Sequence, residues 1–216
     1  METISANYDE NYFNSNSEKS YTPLNNYLKF LEDEWIEWKW KRICDFWCAN
    51  WNLINLLHEK SNCYWFDISD DAIKTCKNRF NGIEKNFNVV DINHNIPKCD
   101  YKFDIIFLLD VIEHFYNFEY FYEFIDSFLV KWWYLVITTP NSNALTRYIL
   151  PLNKFTWEID QTHRVLFTPY TLDFFLRKCL LSKINLSTPY SFYFKNNFVT
   201  SNILLWWQIF WIYIKD

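Results

Sequence analysis

Ile43-Cys44-Asp45-Phe46-Trp47-Cys48-Ala49-Asn50-Trp51 decides the fold. A short apolar strand, Arg42 to Phe46, breaks into a loop of small residues, and Asn50 to Glu59 then carries Leu53, Leu56 and Leu57 on one helical face. In such a strand–loop–helix unit the loop backbone either takes a positive φ or comes close to a ligand, and both demands favour glycine. Trp47 and Trp51 stand where those glycines belong. The whole chain repeats the anomaly, with 12 Trp and 1 Gly in 216 residues, where roughly 7% glycine, about fifteen residues, is usual. UGA is read as glycine in some bacterial genetic codes and as tryptophan in others, so the pattern is that of glycine codons written as tryptophan. Lys131-Trp132-Trp133-Tyr134-Leu135 fits the same reading as a tight turn into a strand. Trp65, Trp132 and Trp133 are expected at positive-φ turns, whereas Trp35 lies on a helical pattern and reads as a true tryptophan.

Outward from this unit the chain alternates. Leu24, Tyr27, Leu28 and Leu31 recur at helical spacing after Pro23, while residues 1–20 lack periodicity and read as a loose tail before a single domain, 21–216. Cys63 to Phe66 is a second strand ending at Asp67, and Ser69 caps a helix running to Phe80, with Asp70 and Asp71 in its first turn. Asn86 to Val90 is a third strand ending at Asp91. Phe103 to Leu109, almost wholly apolar, is the central one. Phe115 to Val130 is an aromatic helix whose rings read as core, and Tyr134 to Thr139 is a fifth strand. Strands alternating with helices make a doubly wound, mainly parallel α/β sheet. Past residue 140 the pattern loosens to a loop, a helix near Thr171 to Leu181 and strand-like runs at 184–194 and 203–214.

Composition narrows the function. A net charge of −5 with no long basic run speaks against nucleic acid as the partner. The most apolar run, Ile203 to Ile214, is interrupted by Gln208 and too short for stable membrane insertion. No basic region followed by an apolar stretch opens the chain, so a cytoplasmic protein is expected. The 6 cysteines form no CxxC pair and read as buried free thiols. No metal-ligand spacing is visible, no metal is expected, and the sequence assigns no oligomeric state.

In an open parallel sheet, ligands bind at the carboxyl ends of the strands. Asp45, Asp67 and Asp91 close the first three strands. An acid after the second strand is placed for a ribose diol, and one after the third for an adenine edge. With Trp read as Gly, the first segment and Tyr64-Trp65-Phe66-Asp67-Ile68-Ser69 resemble the class I S-adenosylmethionine-dependent methyltransferases. So do Val90-Asp91-Ile92, the run from Phe103 to Asp110-Val111-Ile112-Glu113-His114, and Lys131 to Ile137. Thr138-Thr139-Pro140-Asn141, His163 and Phe167-Thr168-Pro169 bring the resemblance closest to the ubiquinone-pathway O-methyltransferases. Ala49 replaces the middle glycine of that family's loop, and its proline before position 132 is missing.

The resemblance implies a Rossmann-like sheet of seven strands with the last antiparallel, S-adenosylmethionine as cofactor, and a small-molecule acceptor. It also implies cofactor contacts from Asp45, Trp47, Cys48, Ala49, Asn50, Trp51, Asp67, Ile68, Asp91, Ile92 and Asp110. Asp45 would meet the methionine amino group. His114, at the cleft mouth beside Glu113, has the acid–base range to take a hydroxyl proton, and His163 lies in a loop that would cover the site. Asp104 braces the start of the fourth strand, and His58 and His94 read as surface residues. Two other classes compete. A nicotinamide-dependent reductase would want GxGxxG, whereas glycine at 47 and 51 restores only Gly-x-x-x-Gly. A non-catalytic module is the chain as written, its loop filled by indoles.

Overall fold

The computed structural model describes residues 22–46, 52–97, 99–148, 162–184, 190–194, 197–201 and 208–216. The loop residues Trp47, Cys48, Ala49, Asn50 and Trp51, the segment 1–21, and Trp157, Trp206 and Trp207 lie outside them. In order come α1 (Thr22–Asp33), β1 (Arg42–Phe46), α2 (Asn52–Leu57), β2 (Asn62–Asp67), α3 (Asp70–Arg79) and β3 (Phe87–Val89). β4 (Phe103–Leu109), α4 (Phe118–Phe128), β5 (Leu129–Pro140), α5 (Pro169–Arg177) and β6 (Leu181–Lys183) follow, then β7 (Tyr190–Phe194), β8 (Asn197–Ser201) and β9 (Gln208–Lys215).

The sheet runs β3-β2-β1-β4-β5-β9, with parallel pairing from β3 through β5. β9 returns antiparallel along β5, from Tyr134↔Ile214 to Pro140↔Gln208. Counting β6 beside β9, this is the expected seven-strand frame with its last strand antiparallel. The β7–β8 hairpin, joined to the start of β9, is an addition that the two strand-like runs of the sequence did not separate. β5 also starts earlier than expected. Its segment around Trp132 is an irregularity in the β4 pairing rather than a turn before the strand.

Side-chain alternation explains the two layers. Ile105 and Phe107 of β4 face one side, with Ile43, Val136 and Phe210, under Leu31 of α1, Ile54 of α2 and Ile73 of α3. Ile106 and Leu108 face the other, with Cys44, Leu135 and Ile137, under Phe121, Phe124 and Ile125 of α4 and Leu172 of α5. β4 is buried on both faces because helices cover both, hence its sequence is apolar except for Asp104. Truncating Phe107, which is fully buried, to Ala removes about 3–5 kcal/mol. Ser69 caps α3 by accepting from the Ala72 N–H, and Asp104 Oδ2 accepts from the Arg42 N–H at 2.8 Å, bracing β1 against β4.

The tryptophans fall into distinct environments. Trp35 has φ 61° and is 93% exposed. It follows α1, where Trp35 N–H donates to the Glu32 carbonyl and Ile36 N–H to that of Leu31, the two bonds of a Schellman helix end. That position ordinarily carries glycine, so the expectation that Trp35 is an ordinary helical tryptophan fails. Trp40 (φ 65°) and Trp132 (φ 66°) are likewise exposed and left-handed. Trp65 and Trp133, expected at positive-φ turns, instead lie within β2 and β5. Trp38 is buried, as Trp65 is, but its Nε1 has a partner and donates to Glu32 Oε1 at 3.2 Å.

Candidate active site

The strand ends converge on one cleft lined by Phe46, Asp67, Ile68, Val90, Asp91, Ile92, Asn93, Val111, His114 and Phe115. At the end of β2, Asp67 is only 2% exposed. Its Oδ1 accepts from the Ser69 N–H at 2.8 Å, so the residue that caps α3 also fixes the acid. Asp91 follows β3, and its Oδ1 accepts from the Asn93 N–H at 3.0 Å. Between these acids Phe46, Ile68, Val90, Ile92, Val111 and Phe115 form apolar walls. A slot with apolar faces and carboxylates at its rim fits a flat heteroaromatic base carrying a diol.

Asp45 is buried at the end of β1 behind Phe46 and does not line the cleft itself. Burial pushes its carboxyl well above the ordinary range, and the neighbouring Asp67 charge adds to the rise. The thiols of Cys44 and Cys63 on the adjoining strands are also pushed up, mainly by burial, so they are held as unreactive thiols.

After β4 the chain turns sharply, with Asp110 at φ 55°. The residue is exposed at the rim, but its carboxylate is enclosed. Gln208 Nε2 donates to both Oδ1 and Oδ2 at 2.8 Å, and Thr138 Oγ1 donates to Oδ1 at 3.0 Å. Burial raises its pKa, while these bonds and His163 oppose the rise. A short 3-10 turn, Ile112–His114, then presents Glu113 and His114. Glu113 is buried, and its Oε2 accepts from Thr139 Oγ1 at 2.9 Å. Its backbone carbonyl accepts the Arg164 and Val165 N–H groups, bringing the segment after residue 161 across the site. His163 Nε2 thereby comes 4.0 Å from Glu113 Oε1, with its ring 4.8 Å from that of His114 and nearly perpendicular. His114 Nδ1 meets the Thr162 carbonyl at 3.2 Å; a carbonyl only accepts, so Nδ1 carries the proton and Nε2 is the basic nitrogen.

The fold thus brings Asp67, Ile68, Asp91, Ile92 and His114 to one cleft and sets Glu113 and His163 beside it. Asp110 belongs to a separate network with Gln208. Donor atoms of Glu113, His114 and His163 lie within 4.8 Å of one another, a grouping that chain spacing conceals and that has the composition of a divalent-cation site. Sequence reasoning missed Asn93, Thr139 and Gln208. Gln208 carried a signal, as the one polar break in an apolar run. His94 is exposed, as expected, and also pairs with Asp91 at 2.7 Å. Among the described residues, no helix is long and apolar enough to cross a membrane.

Several solved structures share this architecture. A S-adenosylmethionine-dependent methyltransferase from Archaeoglobus fulgidus superposes with TM-score 0.64 at 19% identity, covering 96% of this chain and 100% of that one. The magnesium protoporphyrin IX methyltransferase of Synechocystis, solved with S-adenosylhomocysteine, gives 0.61 at 13%, covering 91% and 83%. A S-adenosylmethionine-dependent methyltransferase from Clostridium acetobutylicum gives 0.67 at 11%, covering 93% and 94%. A comparison with curated proteins found no match in sequence. The profile of the methyltransferase domain matches residues 39–168, more than half of the chain, and the chain belongs to that family.

Proposed function

We propose that this enzyme transfers a methyl group from S-adenosylmethionine to an oxygen of a small molecule, as its resemblance to the ubiquinone-pathway O-methyltransferases implies. The observation that carries the cofactor reading is the buried Asp67 at the end of β2, beside an apolar slot whose far side holds Asp91 and Ile92. Asp67 would hold the ribose hydroxyls, and Asp91 with Ile92 the adenine. Asp45 would answer the cofactor's positive charge from behind β1, and the backbone of 47–51 would approach the methionine portion. The cofactor supplies a methyl group on a cationic sulfur that leaves readily. The chain orients the acceptor, whose hydroxyl proton passes to His114 Nε2 while its oxygen takes the methyl group. Glu113, fixed by Thr139, stabilises the imidazolium so formed, and His163 closes the far side.

Thermal stabilisation tests the reading. S-adenosylmethionine and S-adenosylhomocysteine should raise the melting temperature by mass action. Asp67→Ala should weaken that binding by about 1–3 kcal/mol. Stabilisation by NADH alone would move the protein to the reductase class.

We also infer that the native polypeptide carries glycine at many of its tryptophan positions. Trp35, Trp40 and Trp132 support this, because each is exposed and left-handed, so its indole gains no burial and its backbone is strained. Trp38, buried and hydrogen-bonded, supports a true tryptophan. The codons decide between them: UGA at 35, 40 and 132 with UGG at 38 upholds the inference, and UGG at all four sinks it.

A further inference from the structure

One buried polar side chain lines the cleft without a part in the scheme above. Asn93, 7% exposed, lies just past Asp91 on the adenine side. Its Oδ1 accepts from the Tyr116 N–H at 2.9 Å and the Asn117 N–H at 3.3 Å. Its Nδ2 donates to the His114 carbonyl at 3.4 Å, and its own carbonyl accepts from Asn117 Nδ2 at 3.3 Å. A second tie runs parallel on the outside. His94 Nδ1 meets Asp91 Oδ2 at 2.7 Å, and Tyr116 Oη meets His94 Nε2 at 3.0 Å. The turn at 91–95 and the segment at 114–117 are therefore one hydrogen-bonded unit spanning both walls of the cleft. An apolar residue at 93 would fill the same space, but only the amide joins the two backbones in a fixed direction, with its bonds satisfied in a buried setting.

We propose that Asn93 is a positioning residue for His114. A ligand seated against Asp91 and Ile92 fixes the 91–95 turn, and Asn93 passes that restraint to the backbone of 114–117 and so to the imidazole. This rests on reading the cleft as the cofactor site and His114 as the group that meets the acceptor. It makes cofactor occupancy and His114 placement two ends of one coupling, which must act in both directions. The acceptor would therefore meet an aligned base only after the cofactor is in place.

The coupling can be observed without knowing the acceptor. In 15N-labelled protein, the His114 ring resonances, assigned with His114→Gln, should move when S-adenosylhomocysteine binds. Asn93→Ala should still bind S-adenosylhomocysteine, within about threefold of wild type, yet lose the His114 response. Asn93→Asp keeps the oxygen that accepts from Tyr116 and Asn117 but loses the donor to the His114 carbonyl, and should lose most of the response. A full response in Asn93→Ala marks direct contact between ligand and ring, and overturns the proposal. So does a silent His114 in wild type that binds the ligand. Failure of wild type to bind at all strikes the cofactor reading itself and takes the proposal with it. Should Asn93→Ala not fold, amide exchange in wild type decides. The Tyr116 and Asn117 amides must slow on binding, and unchanged exchange overturns the coupling.

Discussion

The two ends of the cleft are built by different means. At the Asp67–Asp91 end, which we assign to the cofactor, each acid closes its own strand and is held by a neighbour two residues on: Asp67 by Ser69, Asp91 by Asn93. At the Glu113–His114 end, which we assign to the acceptor, the side chains are held from afar. Glu113 is fixed by Thr139 across 26 residues, His114 by Thr162 across 48, and Asp110 by Gln208 across 98. A site of the first kind forms wherever a βα unit forms. A site of the second kind exists only once β5, β9 and the segment after residue 161 have come together, and so it can vary while the cofactor end stays the same.

The sharpest way to break this comparison is at His114. His114→Ala should lower turnover on an oxygen acceptor by roughly 10²–10⁴-fold, the range of a general base. Affinity for S-adenosylhomocysteine should barely change, because Asn93 ties the cofactor side to the His114 backbone carbonyl, which alanine keeps. Isothermal titration beside a methyl-transfer assay reads both. A variant with native turnover removes His114 from the chemistry, and one that loses both properties together shows that the two ends are not separate.

The same division explains what the sequence disclosed. β4 could be bounded to the residue because its nearly continuous apolar run lies between Lys102 and Asp110, and β1 because it runs from the charged pair Lys41-Arg42 to the pattern break at Trp47. Asp67 and Asp91 were legible because strand ends and acids are both local signals. Glu113 and His163 as neighbours were not, since nothing in a linear chain reports that residues fifty positions apart will come within 4.0 Å of each other. The start of β5 was missed because Trp132 and Trp133 read as a turn, whereas pairing of Leu129 to Phe103 of β4 begins the strand ahead of the irregularity. Trp35 was misjudged because helical periodicity says where a helix lies, while its end is set by backbone hydrogen bonds that a side-chain pattern does not contain.

Glycine at 35, 40 and 132 sharpens the comparison from outside, since none of the three lines the cleft. Relieving a left-handed backbone should stabilise by about 1–2 kcal/mol per position. Chemical denaturation of the single and triple variants, measured against the parent, checks this. Cofactor affinity should stay constant throughout. A triple variant no more stable than the parent would show that the indoles are not strained, and the glycine inference would lose its support.

The smallest effect lies at Asp45 and concerns the cofactor end alone. Burial and the Asp67 charge raise its pKa in the folded protein above that of the unfolded chain. The folded state therefore holds the proton more tightly, so this group favours folding at low pH, and that contribution is lost as pH rises through the raised value. At any pH above the raised value the ionised, buried Asp45 costs stability. Asp45→Asn copies the protonated form and should melt higher than wild type above that value, by about 2–4 °C for each kcal/mol relieved. The gap should close on acidification, once Asp45 in the wild type is itself protonated. Binding should show the opposite sign. A carboxylate kept at that cost is useful only if it meets a cation, so S-adenosylmethionine should bind Asp45→Asn more weakly, and wild type should lose affinity as the acid protonates. Adenosine, which carries no cation, should bind both proteins alike. Melting and binding curves across pH, run on the same samples, separate the outcomes. A variant that melts lower even above the raised value means Asp45 is fully compensated within the fold. Equal affinity for the cationic ligand would remove it from the site.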